Sequence, residues 1–337
     1  MDLITQGILG AAVSQVGFQK TLGRRALVWG AILGMLPDAD VFVRLSSNPF
    51  AEMIHHRGIT HSLWFGPIVG PILGYFIWQF YKAKGNLDPL PAWIGLSIWA
   101  LLTHPLLDVF TVYGTQLLAP FSDHRFTFPA IAIIDPVYSG TLLVAISIGF
   151  FFHRRSNLVT TSAAVALTLT TGYLFLGLAE NAKAKHLCQQ SLKNPSSAKI
   201  KVYPTMFQLF LRRVVVEESD KLRFGFVSTW SPRPIEWTYL EKPKNLPSLE
   251  FLNDSEVEIF KWFTSGQYVL TYDVSLHQIT MVDTRFGFEG PSIFGLWDIA
   301  FSVDQKGKKI SPAQRVKYPV GPITSNAVLK LFQQTFN

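Results

Sequence analysis

Apolar residues in the first 180 positions gather into long runs separated by short polar stretches. A helix that crosses a bilayer needs about 20 consecutive apolar residues. Five runs have this character: Ala26–Val43, Ile59–Tyr81, Pro91–Tyr113, Ile131–Phe152 and Leu158–Ala179. A sixth, Leu3–Phe18, is shorter. It lacks the basic n-region of a signal peptide and reads as a short first helix. Beyond residue 180 the pattern changes. Ala182–Asn337 contains no span, and Lys221–Trp230, Gln267–Val274, Gln278–Phe288 and Trp297–Val303 are rich in β-branched and aromatic residues. Gly, Pro, Asn and Asp bound these segments, as they bound strands. Met206–Val216 reads as a further strand or a short helix. The pattern predicts a polytopic α-helical membrane bundle of about six helices over residues 1–180. A mostly β soluble domain follows over residues 181–337.

Composition supports the division. Charged residues are 16% of the chain, against about 25% in soluble proteins. Up to Glu180 there are 10 Lys+Arg and 9 Asp+Glu, and the remainder holds 20 and 14. The net charge of +7 lies mostly in the second half and is spread out, with no basic block to track phosphates. Nucleic acid is therefore excluded as a partner, and membrane lipids are the expected one. Cys188 is the only cysteine, so no internal disulfide forms.

Orientation follows from Lys and Arg at the span ends. Lys20, Arg24 and Arg25, then Lys82 and Lys84, then His153, Arg154 and Arg155 occupy alternate loops. All three loops then face the cytoplasm. Residues 44–58, residues 114–130 and the whole C-terminal domain face the other side. Arg44, Arg57, Arg125, Lys183 and Lys185 run against this trend. The expected location is the inner (cytoplasmic) membrane, multi-pass.

Ionisable side chains inside spans are costly and mark function. Here they share one depth. Pro37-Asp38-Ala39-Asp40 ends the second span, and His55-His56-Arg57-Gly58-Ile59-Thr60-His61-Ser62 opens the third. Thr103-His104-Pro105-Leu106-Leu107-Asp108 lies in the outer half of the fourth, and Asp135 opens the fifth. Asp2 and Gln6 open the first. All fall on the non-cytoplasmic side of a topology drawn from Lys and Arg alone. His104 and Asp108, at i and i+4, share a helix face. Asp38 and Asp40 face one way in an extended chain and diverge in a helix. Imidazole with carboxylate is the ligand set of zinc and its neighbours, and more than four such candidates would allow a two-metal centre.

Plainer roles compete at each position. Asp38 and Asp40 would fit a helix end meeting water, and His55 or His56 a solvated loop. His61 and His104 would fit packed histidines, Asp108 a structural partner of Arg57, and Asp135 a turn or an N-cap. Tyr113, Gln116 and Arg125 follow Asp108 as substrate-binding candidates or as ordinary loop surface. His277 has no ligand-type neighbour at a recognisable spacing.

In the stretches MDLITQGILGAAVSQ, WGAILGMLPDADV, HHRGITHSLWFGP, LLTHPLLDVFTVYGTQLLAPFSDHRF and IIDPVYSG the chain resembles the YdjM-like family of predicted membrane-bound metal-dependent hydrolases. The resemblance covers roughly residues 1–140. It implies a metal site on Asp38, Asp40, His56, His61, His104 and Asp108, with Arg57 and Asp135 as near neighbours. Gln6 stands where some relatives have His. The expected activity is hydrolysis of a lipid or amphiphile, first of all a phosphoester, assisted by Zn²⁺ with Mn²⁺ or Mg²⁺ as alternatives. Asp38 or Asp40 is the expected general base, with Arg57 and Asp135 as further catalytic candidates. A metal or proton transporter is the first alternative. It calls for ionisable groups at several depths, whereas the inner halves of these spans are nearly free of them. An envelope scaffold is the second.

Overall fold

The computed structural model describes residues 1–152, 157–192, 198–243, 246, 249–287, 296–316 and 325–336. His153, Arg154 and Arg155, used above for orientation, lie outside the described residues, as does Phe288. The chain divides into two compact units. One comprises Met1–Val43, His55–Leu178 and Met206–Gln208, and the other Arg44–Ile54, Ala179–Thr205 and Leu209–Asn337.

The first unit is helical. Asp2 caps α1 (Leu3–Gly17) by accepting from the Thr5 N–H. A single turn, α2 (Gln19–Leu22), leads to α3 (Arg25–Met35), which continues as a 3-10 helix over Leu36–Leu45. The short α4 (Ala51–His55) and a 3-10 turn at Ile59–His61 precede α5 (Phe65–Lys82). Then come α6 (Leu90–Asp108), α7 (Pro136–Phe151) and α8 (Asn157–Ser191). Among the described residues three helices are long and apolar enough to cross a membrane: Arg25–Leu45, Leu90–Asp108 and Asn157–Ser191. A bent pair, Ala51–His61 with Phe65–Lys82, meets at 67° and brings the number to four when taken as one span. The expectation of about six is thus met only in part. Leu3–Gly17 and Pro136–Phe151 are apolar but shorter, with 15 and 16 residues.

Lipid supplies no hydrophobic drive for helix association, so close backbone approach has to. Gly66, Gly70 and Gly74 form a stripe on α5 that faces Ile94, Ile98 and Leu102 of α6. A Cβ on Gly70 would lie 2.8 Å from the Ile98 nitrogen, and one on Gly74 would lie 2.6 Å from Ile94 Cα. On the other side of α3, a Cβ on Gly34 would lie 2.7 Å from the Gln6 carbonyl oxygen. Deeper along α1, Gln15 donates to the Ala145 and Val159 carbonyls at 2.8 and 2.9 Å, tying α7 and α8 to it. These obstacles are backbone, so Gly70→Val is expected to destabilise the helical unit by about 1–3 kcal/mol. Thermal unfolding in detergent measures this, and an unchanged midpoint would show that the α5–α6 seam tolerates volume.

The second unit is mostly β. Strands β1 (Lys199–Pro204), β2 (Leu211–Glu217), β3 (Lys221–Ser228) and β4 (Thr238–Glu241) form one antiparallel sheet in that order. Strands β5 (Tyr268–Asp273), β6 (Gln278–Asp283), β7 (Ile299–Ser302) and β8 (Gln314–Arg315) form another. Val214, Val216 and Val227 pack against Ala184 and Cys188 from the end of α8. Between β4 and β5 in sequence, α9 (Ser255–Phe263) buries Val257, Phe260 and Phe263, and α10 (Ser325–Phe336) follows β8. The buried Arg213 of β2 donates to the Thr284 carbonyl at 2.6 Å. Burial pulls its guanidinium down to about 10, which leaves it cationic at neutral pH. Glu52, in the Arg44–Ile54 segment of this unit, pairs with Arg315 at 2.9 Å.

Candidate metal centre

Four buried or half-buried side chains converge where α6, the 3-10 helix after α3 and the His61 turn meet. His104 and Asp108 are one turn apart on α6, and the helix runs through Pro105 without interruption. Asp38 comes from the 3-10 helix and His61 from the turn before α5. Their facing atoms are His61 Nε2, His104 Nε2, Asp38 Oδ1 and Asp108 Oδ2. Asp38 Oδ1 lies 3.4 Å from each imidazole nitrogen. Asp108 Oδ2 lies 3.4 Å from that of His61 and 3.8 Å from that of His104, and the two nitrogens are 3.0 Å apart.

These separations are those of a coordination shell. A tetrahedral ion with bonds of about 2.0–2.1 Å holds its ligand atoms about 3.3 Å apart. Hydrogen bonding points the same way. His104 Nδ1 lies 2.6 Å from the Gly34 carbonyl, which only accepts. Nδ1 therefore carries the proton, and Nε2 turns a lone pair into the centre. His61 Nδ1 lies 3.1 Å from Asp40 Oδ2 and 3.0 Å from Thr60 Oγ1, with the same consequence. Two imidazole nitrogens 3.0 Å apart share a proton or a metal ion, and the carboxylates around them suit either. Asp108 Oδ2 is fully buried and accepts no hydrogen bond, although Arg57 Nε is 3.0 Å away. Its ion pair with Arg57 leaves lone-pair capacity on this oxygen for a further partner. The donor set fits a divalent ion.

Asp40 stands on the other side of His61. Because the chain is helical there, Asp38 and Asp40 diverge, and they address the two nitrogens of the same imidazole. Asp40 Oδ1 is 2.5 Å from His56 Nδ1. Its Oδ2 accepts from the Arg57 N–H at 3.0 Å and the Thr60 hydroxyl at 2.7 Å, besides His61. So engaged, Asp40 orients two histidines, as outer carboxylates do at metal sites. Asp38, Asp40 and His56 form a second group with ligand-type spacing.

Arg57 lies beneath Asp108. Its Nη1 donates to Thr111 Oγ1 at 2.7 Å, and its guanidinium stands 4.8 Å over the Tyr113 ring. Its φ is +60°, a conformation that costs a non-glycine residue about 1–3 kcal/mol. The bond to Asp40 and the Gln116 N–H donated to the Arg57 carbonyl hold it there. Gln6 donates to Asp108 Oδ1 at 2.8 Å, and the Met1 nitrogen lies against the same oxygen.

The structure thus brings together Asp38, Asp40, His56, His61, His104 and Asp108, with Arg57 beside them. It takes Asp135 elsewhere. That carboxylate caps α7 through the Val137 and Tyr138 N–H groups and accepts from Tyr173, so its lone pairs serve the helix start. Asp2 is likewise a cap. His55 is exposed and belongs to neither group. Tyr113, Gln116 and Arg125 are buried, Arg125 donating to the Gly114 carbonyl and stacking on Tyr113, so they pack the loop beneath the site. Thr60, Thr111 and the Gly34 carbonyl also hold the site together and were not among the sequence candidates. The two threonines adjoin His61 and follow Asp108 by one turn, which is a readable signal. The carbonyl leaves none.

Residues 1–180 match the family model described as YdjM inner membrane protein. The chain belongs to this family. It is also similar to the Inner membrane protein YbcI of Escherichia coli (strain K12), at 39% identity over 112 residues, 33% of this chain and 62% of that protein. A second relative is the Uncharacterized protein YfhP of Bacillus subtilis (strain 168), 27% identical over 157 residues, 44% of this chain and 46% of that protein. The chain thus spans less than two thirds of either curated relative. No solved structure matches. Membership places this protein in a membrane and gives it no reaction.

Proposed function

We propose that this YdjM-family chain is a metal-dependent hydrolase of the inner membrane, acting at the non-cytoplasmic face on an amphiphilic phosphoester. The observation that carries it is the buried quartet Asp38, His61, His104 and Asp108, with both imidazoles held by their Nδ1 atoms so that Nε2 faces inward. A divalent ion held there supplies Lewis acidity and brings the pKa of water at the site toward neutrality. The chain's own residues prepare the place. Gly34 and Asp40 set the tautomers, Arg57 balances Asp108, and Gln6 holds the outer oxygen of that carboxylate.

If α1 and α7 also cross, the loops carrying Lys20, Arg24, Arg25, Lys82 and Lys84 fall on the cytoplasmic side, which supports a non-cytoplasmic face for the quartet. Access favours an amphiphile. His61, His104 and Asp108 are enclosed, whereas Asp38, Asp40 and His56 are only half-buried. Exposed Phe42, Ile59, Trp64 and Phe121 belong to the same segments, Trp64 and Phe121 meeting edge to face. Exposed apolar side chains close in sequence to polar site residues suit a lipid tail with a polar head.

Purified full-length protein, loaded with Zn²⁺ or Mn²⁺, is expected to release phosphate from at least one member of a panel of phosphatidic acid, phosphatidylglycerol and polyprenyl phosphates. Chelation is expected to abolish release and added ion to restore it. Turnover that survives chelation, or that matches His61→Ala protein, would overturn the reading.

A further inference from the structure

We infer that Asp38 bridges two cations, the second lying at the open side of the site between Asp38 and His56, where it receives the phosphate oxygens of an anionic ester. This rests on the metal-dependent reading above and deepens it. The two ligand groups, Asp38 with His61, His104 and Asp108, and Asp38 with Asp40 and His56, share Asp38, and within each group the ligand-type atoms lie within 4.8 Å of one another. Asp38 turns Oδ1 to the two buried imidazoles at 3.4 Å. A carboxylate has two oxygens, and one that bridges sets two ions about 3.5–4 Å apart, the spacing of two-metal sites.

The two places differ in kind. The first is enclosed, the side chains of His61, His104 and Asp108 being wholly buried, and offers two nitrogens. The second is partly open, with side-chain exposures of 16% for Asp38, 9% for Asp40 and 14% for His56. His56 Nδ1 is within hydrogen-bonding distance of Asp40, closer than two ligands of one ion would sit, so Nε2 is the ligand atom and Asp40 orients it. Few protein ligands and an open side suit a hard cation such as Mn²⁺ or Mg²⁺, which completes its shell with water and substrate phosphate.

Charge gives the second ion its purpose. Asp38 and Asp40 stand at the open side and repel an anionic headgroup. A cation in the enclosed place is shielded behind them. A second cation in front of Asp38 reverses the sign that the headgroup meets.

The test is Mn²⁺ titration of metal-stripped, full-length protein in detergent, read by electron paramagnetic resonance and by bound metal per chain. Wild type is expected to bind two Mn²⁺ and to show the multiline signal of an exchange-coupled pair. His56→Ala and the gentler His56→Gln are expected to keep the first ion, bind the second about 10–100-fold more weakly and lose the coupling. Saturation of wild type at one ion with an uncoupled six-line signal would overturn the second site and leave the hydrolase reading standing. A coupled pair that persists in both His56 variants would also overturn it. Absence of any bound Mn²⁺ in wild type would overturn the second site, and absence of bound Zn²⁺ as well would overturn both.

Discussion

His104→Ala protein is expected to leave purification with less than about a tenth of the divalent ion carried by wild type, since ligand-shell losses cost metal affinity at least 10–100-fold. The enclosed place has four donors, and His104 supplies one of its two nitrogens. Alanine removes it without offering another. The Gly34 carbonyl, which holds Nδ1 at 2.6 Å, then loses that partner. His55→Ala is the internal control. His55 is a near neighbour in sequence but exposed and outside both ligand groups, and its replacement is expected to leave metal content unchanged. Elemental analysis of monodisperse protein decides the matter. Equal metal in the His104 and His55 variants would remove the centre from consideration.

Asp108→Asn is expected to have the largest effect on stability, about 3–5 kcal/mol, the usual cost of leaving one partner of a buried ion pair unpaired. Asp108 and Arg57 face each other at 3.0 Å with both side chains almost wholly enclosed. Asparagine keeps the shape and still accepts from Gln6, so the loss isolates the charge. The buried arginine then keeps Thr111, the residue-108 carbonyl and the Tyr113 ring, and loses its carboxylate partner. Removing both charges, as Arg57→Met with Asp108→Asn, is expected to cost clearly less than the sum of the single changes. Thermal unfolding of the four proteins in detergent forms the cycle. Additive losses would show that the pair is not coupled and that Arg57 is held by its other contacts.

Much of this was readable in the sequence where the signal is periodic or chemical. Long apolar runs marked the helices, because lipid tolerates no other exposed backbone. The i, i+4 spacing of His104 and Asp108 placed both on one face, which α6 shows. The number of spans was less readable. Hydropathy alone does not separate the 15-residue Leu3–Gly17 from a full span, nor reveal the 67° bend before α5. The pairing of Asp38 and Asp40 hinged on local conformation, since two residues at i and i+2 share a face only in a strand. Asp135 before Pro136 suited a cap and a site equally, and only the positions of the Val137 and Tyr138 N–H groups separate the two. In the second unit, longer β-rich segments stood out, whereas the short β4 and β8 depend on neighbours distant in sequence.

The change from α-helix to 3-10 helix at Leu36 has a consequence for His104. In i to i+3 pairing, the carbonyl of Gly34 looks to residue 37 for its hydrogen, and residue 37 is proline. The helix therefore has no N–H to give it in that register. That oxygen faces His104 Nδ1 at 2.6 Å and fixes the ring. Which nitrogen of an imidazole 67 positions further along carries its proton is thus written by a hydrogen atom that Pro37 does not have.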